Sequence, residues 1–71
     1  MITLKDIAKL CFGWVKLRVF EIDQTGNEKL LFYGDAYDVI YHFESENYIV
    51  SRINAKLFPP ELHIYAKEYN K

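Results

Sequence analysis

The sequence predicts a small α+β domain of order αββαββ, a four-stranded, mainly antiparallel sheet with two short helices on one face. Three features carry that prediction. Residues 14–34, WVKLRVFEIDQTGNEKLLFYG, read as one antiparallel hairpin; two short stretches, at 3–13 and 35–43, repeat apolar residues at helical spacing; and two runs, 48–55 and 62–69, alternate around a pair of prolines.

The first helix is announced by two devices. Thr3 is placed to cap it with Asp6 three residues on, and Ile2 and Ile7 are spaced as a hydrophobic staple, so the helix begins at Leu4. Leu4, Ile7, Ala8 and Cys11 form one apolar stripe, and Gly13 is placed to end it in a left-handed conformation.

In the hairpin, the arms Val15 to Ile22 and Lys29 to Tyr33 flank Asp23-Gln24-Thr25-Gly26-Asn27. A type I turn with Gly26 at positive φ sets Asp23 opposite Asn27. Counting back, Glu21 faces Lys29, Val19 faces Leu31 and Leu17 faces Tyr33. On the other face Phe20 meets Leu30, Arg18 meets Phe32 and Lys16 meets Gly34. A slip of one residue would drive Lys16 and Arg18 into the core, so the register is strongly selected.

Asp35 is the expected cap of the second helix, with Asp38 favourable to its dipole, and Ala36, Val39, Ile40 and Phe43 form its stripe. Glu44-Ser45-Glu46-Asn47 stops it near Phe43. A strand over 37–43 is the competing reading, and the cap and spacing favour helix. In the closing strands Ile49, Ser51, Ile53 and Ala55 oppose Tyr48, Val50, Arg52 and Asn54, and Leu62, Ile64 and Ala66 oppose His63, Tyr65, Lys67 and Tyr69. Phe58-Pro59-Pro60-Glu61 interrupts the ladder, because proline has no N–H, and implies a second hairpin with a longer connection. Asn70 and Lys71 are expected to fray.

The 71 residues make a single domain. A core this small is compensated by composition, with 51% hydrophobic and 17% aromatic residues. One cysteine excludes an internal disulfide, and two distant histidines give no metal-ligand spacing, so neither metal nor cofactor is expected. Nine basic against ten acidic residues give a net charge of -1, and the whole-molecule field attracts neither nucleic acid nor an anionic membrane strongly. No apolar run approaches the roughly 20 residues of a membrane span, and MITLKDIAKLCF lacks a signal-peptide layout. A cytoplasmic protein with no membrane partner is the expectation.

With Val15, Leu17, Val19, Leu31, Tyr33, Ile49, Ile53, Leu62 and Ile64 toward the helices, the outer face collects Lys16, Arg18, Phe20, Phe32, Tyr48, Arg52, His63, Tyr65 and Lys67. Of these, Lys16, Arg18, Phe20, Phe32, Tyr48, Arg52 and Tyr65 are the candidate binding residues, since interfaces favour aromatics and arginine. The same rings and cations suit single-stranded nucleic acid, in which bases stack and phosphates meet Arg and Lys. An ordinary solvated face, with cationic stems lying over rings, is the simpler account of them. His42 and His63 lie far apart in sequence, Cys11 reads as a small core residue, and Asp35, Asp38, Glu44 and Glu46 read as caps and turn solvation that together offer an acidic edge for a basic partner. No GxSxG, P-loop, HExxH, GxGxxG or CxxC pattern occurs, so no catalysis and no small-molecule substrate are expected.

The plan of a capped first helix, the strands Lys16 to Ile22 and Leu30 to Gly34, Asp35 and two closing strands resembles that of many short proteins encoded by phages and mobile elements of Gram-positive bacteria. The resemblance covers length and layout and transfers no functional residue. It implies a protein that binds and modulates a larger component. The expected function is therefore a non-catalytic interaction domain binding a protein or itself through the ring-and-arginine face, with weak single-stranded nucleic-acid binding as the alternative.

Overall fold

The computed structural model describes residues 1–69, apart from the side chain of His42. The frayed end expected at Asn70 and Lys71 lies outside them. The elements are α1 (Leu4–Lys9), β1 (Lys16–Ile22), β2 (Glu28–Asp35), α2 (Ala36–His42), a 3-10 turn at Ser45–Asn47, β3 (Tyr48–Leu57) and β4 (Pro60–Glu68). The chain is thus α+β, and its four strands form one sheet ordered β2-β1-β4-β3. Both hairpins are antiparallel, while the central β1 and β4 run parallel, with Leu17 beside Leu62 and Val19 beside Ile64.

The α1 start follows the sequence. Thr3 Oγ1 accepts from the Asp6 amide at 3.2 Å and Asp6 Oδ2 accepts from the Thr3 amide at 3.0 Å. Two reciprocal bonds satisfy donors that the first turn leaves orphaned. The end differs from expectation. Leu10 caps α1 in a right-handed conformation, its amide and that of Cys11 closing onto Ile7 and Ala8, so Gly13 is not the left-handed stop. Gly13 instead presents its carbonyl to the Tyr37 amide at 3.1 Å, joining the two helical segments.

The core lies between one sheet face and the helices. Leu4 and Ala8 of α1, Ala36 and Val39 of α2, and Leu17, Val19 and Ile64 of the sheet are all fully buried. Asp35 is the N-cap residue of α2, but its side chain makes no cap bond and pairs with Lys16 at 2.6 Å.

Two bulges decide which residues face this core. At the hairpin tip the expected register holds: Gly26 has φ 88°, the Asp23 amide donates to the Asn27 carbonyl at 3.0 Å, and Glu21 pairs Lys29 and Phe20 pairs Leu30. Between Phe20 and Val19 the register shifts, because Leu31 is an extra residue with no opposite number. Beyond it Val19 faces Phe32, Arg18 faces Tyr33, Leu17 faces Gly34 and Lys16 faces Asp35. Phe32 therefore leaves the outer face on which the sequence placed it, packs on the core and lies 5.5 Å from the Phe43 ring. Tyr33 takes its place outside.

A second bulge at Ser51 acts likewise on β3. Val50 pairs Ala66, yet Arg52 already pairs Tyr65. Residues before the bulge are reversed: Tyr48, expected outside, packs against the core with its ring stacked 5.2 Å from Phe43, and Ile49 turns outward beside Lys67. The connection between β3 and β4 is also shorter than expected, since Leu57 pairs Pro60 directly. Proline is tolerated as the first residue of a strand, where its missing donor is not needed.

Candidate functional site: the uncovered sheet face

Opposite the helices, side chains alternate out of all four strands, and no element among the described residues covers them. Of the seven candidate residues, Lys16, Arg18, Phe20, Arg52 and Tyr65 share this face, and Phe32 and Tyr48 do not. His63 and Lys67 lie on it as expected, and Tyr33 and Leu30 join it.

Its organiser is a residue that the sequence reading left in a turn. Glu61 opens the β4 alternation with His63 and Tyr65, and its side chain is only 4% exposed. Glu61 Oε1 accepts from Arg18 Nε at 2.8 Å and lies 2.6 Å from His63 Nε2, while Oε2 is buried with no hydrogen-bond partner among the described residues. The parallel register of β1 and β4 sets Arg18 beside His63 and so makes the triangle possible. The Arg18 hydrogen bond, then that of His63, holds the Glu61 carboxyl below its ordinary range, and Glu61 in turn raises Arg18. The period-two spacing of Glu61, His63 and Tyr65 was the available signal, hidden by the two prolines before it.

Around this triangle each ring has a partner. The Arg18 guanidinium lies 4.3 Å from the Tyr33 ring centre and that of Arg52 lies 4.1 Å from Tyr65. Phe20 stacks on Tyr65 at 5.3 Å and is tilted against His63 at 5.6 Å. Tyr65 is consequently 8% exposed, whereas Tyr33 is 49% exposed. Lys16 is held by Asp35 in a half-exposed pair that water and salt screen.

Two open hollows border the sheet. One, of about 360 Å³, is lined by Trp14, Val15, Lys16, Pro60 and Glu61. The other, of about 640 Å³, lies at the opposite end among Glu21, Asp23, Ser51 and Lys67. Among the described residues no group of three His, Cys, Asp or Glu stands close enough to hold a metal ion. Cys11 is half-buried, its thiol raised by burial and donating to the Ile7 carbonyl at 3.5 Å. The pairing of His42 with His63 lies outside the described side chains. No helix among the described residues is long and apolar enough to cross a membrane.

No family model, curated protein or solved structure matches the chain.

Proposed function

We propose that this chain is a non-catalytic interaction domain that binds a protein, or a second copy of itself, through the uncovered sheet face. The observation that carries the reading is the state of Arg18 and Arg52. Both are already laid over rings, and Arg18 is fixed by Glu61, so a partner meets ordered guanidinium groups and loses little side-chain entropy on contact. Leu30 and Tyr33, each about half exposed, supply the apolar area beside them. The resemblance in layout to short phage and mobile-element proteins fits a partner larger than the domain.

The alternative, single-stranded nucleic acid, draws on the same cations. It is less well supported, because Tyr65 is sandwiched by Arg52 and Phe20 and offers no free ring face to a base.

The test is retention of partners from extracts of the source cells, with solution mass measured across a concentration series. Leu30→Glu with Tyr33→Ala is expected to weaken capture or self-association by about tenfold or more. Binding should persist at high salt, whereas steep loss with salt would indicate phosphate contacts and favour nucleic acid. A strict monomer whose double variant retains every partner would end the protein-binding reading.

A further inference from the structure

A different part of the molecule carries an inference independent of that face. β1 and β4 start at the same end of the sheet, so the loop after α1 and the link between β3 and β4 emerge side by side. Leu10, Phe12 and Trp14 in the first, Phe58 in the second and Leu57 at the end of β3 are between 72% and 94% exposed. The two segments meet: Phe12 stacks on Trp14 at 5.7 Å, Trp14 and Pro60 line one hollow, and Pro60 pairs Leu57. At about 200 Å² per ring and somewhat less per leucine, this bare apolar end amounts to on the order of 700 Å², above the few hundred that monomers usually expose.

The charges are divided between the two ends. Lys9, Lys16 and Lys56 adjoin the apolar loops, at the end of α1, the start of β1 and the end of β3. Acids at this end are engaged or sheltered: Asp35 is held by Lys16, Glu61 by Arg18 and His63, and Asp38 is half-buried in the first turn of α2. The exposed acids Asp23, Glu28, Glu44 and Glu46 lie at the far end, in the β1-β2 turn, at the start of β2 and after α2, and outnumber Lys29 and Lys67 there. The net charge of -1 thus averages over a basic, apolar end and an acidic, polar one.

We infer that the apolar end is a docking surface for an anionic lipid bilayer, with Phe12, Trp14, Leu57 and Phe58 entering the headgroup boundary and Lys9 and Lys56 facing acidic headgroups. Trp and Phe favour that boundary, and flanking lysines add attraction that exposed acids at the same end would cancel. The acidic end then points to solvent. Charge selects this occupant over a second copy, whose own lysine rim would repel the first.

Trp14 is the sole tryptophan, so its emission reports directly from the surface. The full chain is mixed with phosphatidylcholine vesicles with and without phosphatidylserine, and flotation and emission are recorded. Expected are flotation with the anionic vesicles and a blue shift of Trp14. Phe58→Ser should weaken binding at least about tenfold, as an exposed ring loses its burial in lipid. Lys9→Gln and Lys56→Gln should each weaken it about fivefold. Unchanged melting temperatures exclude misfolding as the cause. Absent flotation with unshifted Trp14 would overturn the inference, as would binding indifferent to phosphatidylserine and to the lysines. So would a monomer-dimer equilibrium that Phe58→Ser abolishes without any vesicle binding, which would assign the surface to a second copy.

Discussion

Tyr65 in β4 and Phe58 in the link before it lie seven positions apart, and one is 8% exposed, the other 94%. Both follow stretches rich in apolar residues, and neither is in the helix-covered core. The difference lies in what stands across from each. Tyr65 has strand neighbours on both sides, Phe20 on β1 and Arg52 on β3, which close over its two faces. Phe58 has no strand beside it. A ring on an open sheet face can therefore be structural, while a ring at a strand end stays bare.

The sharpest way to break that contrast is truncation. Tyr65→Ala is expected to cost about 3 kcal/mol in chemical denaturation, because it removes a buried ring and uncovers its neighbours. Phe58→Ser should stay within about 0.5 kcal/mol of the parent. Similar losses for the two would erase the distinction. A double-mutant cycle between Phe20 and Tyr65 sharpens it further, with a coupling of about 1 kcal/mol expected for the stacked pair and none measurable if the contact is incidental.

The smallest effect concerns Glu61. Its folded pKa is depressed by Arg18 first and His63 second, so its stabilising contribution is complete above the ordinary glutamate range and is lost as pH falls through that range toward the lower folded value. Glu61→Gln should flatten the acid side of the stability profile by up to one proton's slope. Asp6 and Asp23, lowered by hydrogen bonds from Thr3 and Thr25 respectively, keep the remainder. Superimposable acid limbs for parent and variant would show that the Arg18-Glu61-His63 triangle is not formed in solution.

What could be read from the sequence was local. The Thr3 and Asp6 exchange, the Gly26 turn and the tip register from Glu21 to Lys29 each depend on residues within a few positions of one another. Five of seven candidate site residues were correctly placed outside because strand alternation is itself local. Phe32 and Tyr48 were misplaced because Leu31 and Ser51 each add one residue to a strand, and a single insertion reverses the facing of everything beyond it. No composition signal marks either bulge. Glu61 was missed for a different reason: its partner Arg18 lies 43 residues away, and only the parallel pairing of β1 with β4 brings the two together.

The amino-acid order on its own determined where the two helices start, which turn closes the first hairpin and that the fold is α+β, since capping, positive φ and two-residue alternation are short-range effects. Packing of β1 beside β4 and the two bulges decided which rings are covered, which carboxylate is enclosed and which end of the sheet stays bare. Those outcomes depend on contacts between residues tens of positions apart, and short-range preferences do not encode them.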